Sequence, residues 1–539
     1  MIFTNVEFWI FFAVVLAIFS VLHPKRTLRN AFLFGASIFF YFKTGGYFFV
    51  LLLFSTFSDY LIGFAIHRSG RKASRTFWLV TSITINLLVL GYFKYSYFFA
   101  GVISDVTGEP IDYFNHFNNA VNQVTGSYLS VDYLLPPVGI SFFTFQTISY
   151  AVDVYKKKIE PVRNILDFGF YVSFFPQLVA GPIVRASEFI PQIYKPFKLT
   201  KEDFGVAIWW ILKGLMKKLI LADYIAVNFV DRVFADPSAH SGFENVMSIY
   251  GYSLQVYADF SGYTDVAIGV ALLLGFALPV NFNSPYKARS VGEFWRRWHI
   301  SLSTWLKDYL YIPLGGSRSA SILTWVFYIT IPFILLAYFG WDNWPFVLAA
   351  CGGVAALLIG LSIRYPAVKK EVTTSSNLML TMVLGGFWHG ASWLFVIWGA
   401  LNGVGLVVYK IWRKVSPWEG RKEWIWRIWT IFLTFTFITF TRIWFRHTTL
   451  EGVDAFFYQV WNDFGWDLIP EVLYNYKYVF MMIYAGMVLH WYPSDWKEEM
   501  RQVFLKTHIA VKVVITVAVV FVVYQAMSSD LQPFIYFQF

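Results

Sequence analysis

Apolar residues run along this chain in stretches that approach the ~20 residues a membrane-spanning helix needs. They fall at 8–22, 31–42, 47–66, 77–100, 132–155, 204–229, 247–279, 321–338, 344–363, 376–391, 392–409, 426–446, 475–492 and 510–529. Several are short for a ~30 Å hydrocarbon core, so the pattern predicts roughly eleven to fourteen transmembrane or re-entrant helices in an all-α, polytopic membrane fold. No internal repeat, low-complexity tract or linker interrupts the series, and residues 1–539 read as a single multipass domain.

The polar stretches between these runs alternate in charge. HPKRTLRN (23–30), HRSGRKASR (67–75), KKK (156–158) and KIWRKVSPWEGRKEW (410–424) are basic and are expected to face the cytoplasm. The loop from Gly101 to Asp132 has no Lys or Arg but carries Asp105, Glu109, Asp112 and Asp132, and His447 to Tyr476 is likewise acid-rich. Both are expected outside, and counting from them places both termini outside. MIFTNVEFWIFF lacks a basic leader region and a small-residue cleavage site, so it reads as a first span.

Composition agrees. Of 539 residues, 57% are hydrophobic, 21% aromatic and only 14% charged, against about 25% charged in soluble domains. The net charge of +10 does not indicate nucleic acid, because the Lys and Arg residues sit in short loops between apolar runs. Cys351 is the single cysteine, so an intramolecular disulfide, a multi-cysteine metal site and an iron–sulfur cluster are excluded. There is no GxxxxGK[ST], HExxH or GxSxG motif, and no His-x-x-x-x-Asp follows His299 or His389.

Three polar islands break the apolar pattern. In GYSLQVYADFSGYTDVAIG (251–269), Asp259 and Asp265 stand within a spanning segment. A carboxylate at mid-membrane costs about 2.5–3.5 kcal/mol, so each either caps a helix break or pairs with an Arg, or contacts substrate. NFNSPYKARSVGEFWRRWHISLSTWLKDYLYIPLGGSR (281–318) holds Lys287, Arg289, Arg296, Arg297, Lys307 and Arg318 against Glu293 and Asp308. Its spacing predicts a helix from Phe294 to Tyr311 with Trp298, Leu302, Trp305 and Tyr309 on one face. Such a helix could lie on membrane lipids with anionic headgroups, but that leaves His299 beside Trp298, with Ser301 close by, unexplained. A basic, aromatic concavity would suit an anionic cofactor with phosphates. In LGGFWHGASWLFVIWGALNG (384–403), His389 lies between Gly386 and Gly390 with Trp388 and Trp393 beside it and no charge nearby. Glycine lets a backbone or a ligand approach closely. A neutral imidazole there is either structural or a general base.

These islands, with PPVGISFFTFQTISYAVDVYKKK (136–158) and FFPQLVAGPIVR (174–185), resemble the membrane-bound O-acyltransferase family, in its bacterial branch of alginate O-acetyltransferase membrane subunits. The recognisable motifs run from about Pro136 to Phe445. The resemblance implies helices around a thinned centre with a tunnel, with His389 as the family's signature histidine and His299 as its second. It implies acyl transfer, with acetyl-CoA as donor substrate and no permanently bound cofactor or metal. Arg296, Arg297, Lys287 and Arg318 would hold the donor phosphates, and Asp259, Asn283, Ser301 and Trp388 would line the substrate channel. His389 would be general base, and His299 would orient a substrate or stabilise the oxyanion. A periplasmic SGNH-type acetyltransferase would be the partner, a polysaccharide the final acceptor and the bacterial inner membrane the location. D-alanyl transfer to teichoic acid is an alternative, and a polysaccharide or lipid transporter or flippase is one from a different class.

The sequence ends in FIYFQF, an aromatic tail (530–539) bearing one hydroxyl, Tyr536. It reads either as an interfacial aromatic belt or, by resemblance to the partner peptide of the D-alanyl relatives, as a relay that accepts the acyl group on Tyr536.

Overall fold

A backbone within hydrocarbon must satisfy its own N–H and C=O groups, and this chain does so with helices. The computed structural model describes all residues except 112–113, 132–135, 325, 327–330, 333–334, 337–339, 422 and 528–539. Among the described residues there is no strand. The expected apolar segments appear as helices with similar bounds, among them Val6–Leu22, Phe49–Arg68, Trp344–Arg364, Trp424–Arg446 and Lys477–Trp491. The expected segment 321–338 lies largely outside the described residues. Helices Ile165–Ser173, Ala186–Ile193, Leu450–Asn462 and Ser494–Lys506 fall where no apolar run was evident.

The protein is an all-helical, polytopic membrane protein. On length and composition alone, five helical stretches among the described residues can cross a membrane, or up to seven if two bent pairs each count as one span. The roughly eleven to fourteen segments read from the sequence include helices that do not qualify by themselves. Ile140–Tyr155 has 16 residues and is buried from Ile140 to Val154, as expected of a helix enclosed by protein. Gly242–Leu273 is long enough but carries Glu244, Asp259 and Asp265.

Backbone contacts group the chain into two units. The first comprises Met1–Asp223, Tyr257–Val280 and the segment beginning at Pro493; the second comprises Tyr224–Val256 and Asn281–Tyr492. Helix Gly242–Leu273 contributes residues to both.

The first unit holds its helices together through buried polar ties. Asn86 donates to Asp59 at 2.7 Å and accepts from Ser55 and Thr147, each at 2.9 Å, joining Phe49–Arg68, Lys72–Leu90 and Ile140–Tyr155. Helix Lys201–Leu215 opens on a capping box formed by Thr200 and Asp203 and continues as a π-helical stretch, Met216–Ala222. A Cβ on Gly214 would sit 2.5 Å from the Gly262 carbonyl oxygen, so these two glycines let the backbones meet. The same face carries charge. Lys218 pairs with Asp259 at 2.5 Å and Asp223 at 2.7 Å, while Lys217 and Lys213 pair with Asp265 at 2.8 and 3.2 Å.

The second unit is built on a hairpin of Pro366–His389 and Trp393–Val415, against which Trp424–Arg446 packs. Asn377 donates to the carbonyls of Gly316 and Ser319, both at 2.8 Å, and so pins the Gly315–Gly316 turn to the hairpin. Gly315 has φ +112, a conformation that L side chains rarely adopt.

Candidate active site

The hairpin places His389. It is the last residue of helix Pro366–His389; Gly390 is extended, and Ser392 caps the next helix by accepting from Leu394 N–H. The neighbouring glycines serve backbone packing. A Cβ on Gly386 would stand 2.3 Å from the Phe395 carbonyl oxygen and 2.9 Å from Gly399 Cα. A Cβ on Gly390 would meet the Phe395 ring at 2.1 Å. Without side chains at these positions the two helices close, and His389 is left 4% exposed.

Aromatic rings enclose the imidazole. Trp388, Trp398 and Phe445 lie 5.0, 5.1 and 5.5 Å from it between ring centroids. Trp388 also faces His299, at 6.4 Å. The structure therefore brings His389, Trp388 and His299 together, although 90 residues separate the two histidines in sequence.

His299 arrives on a broken element, which corrects the continuous helix expected from Phe294 to Tyr311. Helix Val291–Trp295 ends, and His299 takes a left-handed conformation (φ 43, ψ 55) before helix Ile300–Trp305 and a π-helical turn, Leu306–Tyr311. The break is held by a long-range bond: Ile300 N–H donates to the Asn281 carbonyl at 3.0 Å. Trp298, Leu302 and Trp305 are buried as expected. The periodicity survives the kink because both short helices turn their apolar faces inward.

Asn281, which the sequence did not single out, organises this corner. Its Oδ1 accepts from Ser301 N–H at 3.0 Å and from the Ser301 hydroxyl at 2.9 Å, and it lies 3.3 Å from His299 Nδ1. Asn281 and His299 are both fully buried or nearly so. Burial pushes the His299 imidazole down to about 3, so it is neutral at ordinary pH.

The remaining expected residues divide between this corner and other places. Ser301 is spent on Asn281. Asn283 is exposed, and its backbone pairs with Arg297. Arg297 gives its Nε and Nη2 to Glu293 at 3.0 and 2.9 Å. Arg296 and Arg318 are exposed, and Lys287 donates to the Tyr492 carbonyl at 2.7 Å. Asp259 belongs to the first unit, in the ion pair with Lys218. Tyr536 and the tail 530–539 lie outside the described residues. Among the described residues, no cluster of His, Cys, Asp and Glu could hold a metal.

Arg442 completes the surroundings. This buried guanidinium donates to Tyr286 Oη at 2.6 Å and the Ser253 carbonyl at 2.9 Å and lies over the Trp298 ring at 4.8 Å. Its helix thus supplies Arg442 to the His299 segment and Phe445 to His389.

Two imidazoles gathered by aromatic walls can carry proton transfer, and comparison with known proteins places the chain among acyltransferases. Residues 141–339, which include His299, match the model of the membrane-bound O-acyltransferase family. A probable alginate O-acetylase, AlgI, of Azotobacter vinelandii is 35% identical over 413 residues, covering 76% of this chain and 68% of that protein. The chain belongs to the membrane-bound O-acyltransferase family. A peptidoglycan O-acetyltransferase of Helicobacter pylori is 32% identical over 446 residues, covering 77% of this chain and 71% of the relative. A teichoic acid D-alanyltransferase of Bacillus subtilis is 28% identical over 318 residues, covering 57% and 68%. In this membrane-bound O-acyltransferase His299 lies inside the matched region, whereas His389 lies beyond it and packs against the same Trp388 ring.

Proposed function

We propose that this O-acyltransferase takes an acetyl group from acetyl-CoA on the cytoplasmic side of a bacterial inner membrane and supplies it for O-acetylation of an extracytoplasmic polysaccharide. The observation that carries the reading is the shared aromatic enclosure of His389 and His299 through Trp388. The acceptor hydroxyl oxygen attacks the thioester carbonyl, His389 takes the hydroxyl proton, and collapse of the tetrahedral intermediate breaks the C–S bond. The proton then passes to the departing thiolate. General-base assistance of this kind contributes about 10²–10⁴-fold in rate. Acetyl as the group and polysaccharide as the acceptor are supported by the names of the Azotobacter vinelandii and Helicobacter pylori relatives.

The exposed Arg296 and Arg318 are assigned to the donor phosphates, with Arg297 and Lys287 beside them. An SGNH-type periplasmic partner completes delivery, with Tyr536 as the intermediate acceptor. The test is CoA release from acetyl-CoA by the purified protein with its partner and polymer. His389→Ala is expected to insert normally and lose release by at least about 10²-fold, and Arg296→Gln to raise the KM for acetyl-CoA. Wild-type turnover by His389→Ala overturns the assignment. Release from a D-alanyl thioester but not from acetyl-CoA moves the reading to D-alanyl transfer.

A further inference from the structure

We propose that Asn281 is a positioning residue that locks His299 in the tautomer protonated at Nδ1, so that Nε2 presents a lone pair to a substrate hydroxyl and does not donate to the oxyanion. The second half of this rests on the acyl-transfer reading; the first half does not.

The argument begins with a group that has no choice. The backbone N–H of Ser301 can only donate, and it lies 3.0 Å from the Asn281 side chain. The atom facing it must therefore be the amide oxygen, which fixes the orientation that asparagine usually leaves ambiguous. That same Oδ1 lies 3.3 Å from His299 Nδ1. An oxygen that only accepts requires Nδ1 to carry the proton. A neutral imidazole has one N–H, so the lone pair is on Nε2.

Geometry keeps the ring in this state. The Asn281 backbone carbonyl accepts from Ile300 N–H at 3.0 Å, so one residue grips both sides of His299. His299 itself is in the left-handed region at φ 43, which a histidine adopts only when its surroundings impose it. Among the described residues, His389 lies across Trp388 from His299, and Arg442 lies over Trp298. Neither supplies a negative charge that would favour a second proton on the ring, and burial opposes one.

The two roles open to His299 make opposite demands. An oxyanion donor needs hydrogen on Nε2, and an acceptor for a hydroxyl needs the lone pair. Asn281→Asp separates them. Aspartate keeps an oxygen for Ser301 N–H and for Nδ1–H, but its charge favours the imidazolium, which has hydrogen on both nitrogens.

The experiment has two arms on the purified full-length protein. In the first, ¹⁵N-histidine NMR, with His299 assigned by its loss in His299→Gln, is expected to show Nδ1–H and unprotonated Nε2. A wild-type His299 protonated at Nε2 overturns the proposal. In the second, kcat for CoA release and the His299 ¹⁵N signals are followed together against pH. In Asn281→Asp the second protonation of His299 is expected to move up by about 1–3 pH units, with kcat falling below the wild-type value over the range in which the imidazolium forms and the KM for acetyl-CoA unchanged. A His299 imidazolium that leaves kcat at the wild-type value, or a rate that rises as it forms, overturns the hydroxyl-acceptor role. Asn281→Leu, which removes the acceptor without adding charge, is expected to lose kcat and the single-tautomer signal together; retention of both also overturns the proposal. The NMR arm needs no turnover, so failure to use acetyl-CoA would count against the acetyl-transfer reading while the tautomer is still decided.

Discussion

Gly386→Ala tests whether the hairpin positions His389. Gly386 has an ordinary helical backbone, so alanine is not strained there and gains up to about 1 kcal/mol of helix propensity over glycine. Space is what it lacks. The added Cβ would lie 2.3 Å from the Phe395 carbonyl oxygen, 2.9 Å from Gly399 Cα and 3.0 Å from Gly399 N, all backbone atoms. An ordinary contact begins near 3.4 Å, so the helices Pro366–His389 and Trp393–Val415 must part by about 1 Å. Overpacking of this kind costs about 1–3 kcal/mol, offset in part by the propensity gain. The kinetic effect is larger, because His389 lies three residues further along one helix and Trp398 on the other. A misplacement near 1 Å costs about 10²-fold in rate. CoA release should therefore fall by about that factor in kcat, with the KM for acetyl-CoA little changed. Gly352→Ala is the control: it has nothing within 4 Å of its added Cβ, and should keep full activity. Full activity in Gly386→Ala, with the control behaving as expected, would refute the reasoning.

The charged pairs of the first unit should behave as structural elements. Lys218→Met removes the cation shared by Asp259 and Asp223 and should destabilise by about 3–5 kcal/mol, read as a shorter half-life in detergent at raised temperature; Lys218→Met with Asp259→Asn should recover part of it, and an unchanged half-life in the single variant would contradict the pairing. Tyr536→Phe should abolish polymer acetylation while leaving membrane insertion intact, and intact-mass spectrometry after incubation with acetyl-CoA should show an adduct that this variant lacks. Full polymer acetylation by Tyr536→Phe would reduce the tail to an interfacial anchor.

Much of the architecture was legible because burial in hydrocarbon writes itself into composition. The ends of Val6–Leu22, Trp344–Arg364 and Trp424–Arg446 fall within a few residues of the apolar runs. His299, His389 and Trp388, which the structure brings together, stand out in the sequence for a related reason: polar groups in such runs are expensive and few. What failed were readings that depended on long-range partners. In NFN, nothing local says which asparagine turns inward; bonds to residues 18 and 20 positions away decide for Asn281, and Asn283 is exposed. The continuous helix through Trp298 failed because inward-facing rings recur on both sides of the break at His299. The partners of Asp259 and Asp265 did leave a signal. Lys213, Lys217 and Lys218 sit inside the apolar run 204–229, where a lysine without a carboxylate would be costly.

That division between charged pairs and uncharged imidazoles bears on where chemistry can occur. Lys218 is shared by two carboxylates, and Asp265 by two lysines. Removing a proton from such a lysine, or adding one to such a carboxylate, leaves its partners' charges uncompensated in a low-dielectric interior, at a cost of several kcal/mol. These groups resist changing state, which suits them to holding helices together. A general base must do the opposite: gain a proton and lose it again in every turnover. His389 is walled by Trp388, Trp398 and Phe445, and none of the three carries a charge that would hold it in one protonation state. In the corner around His299, Asn281 stands in the place where an aspartate would have fixed a negative charge. An Asp at position 281 would make this corner resemble the ion pairs of the first unit, which is why its effect on the pH profile distinguishes a hydroxyl acceptor from a permanent cation.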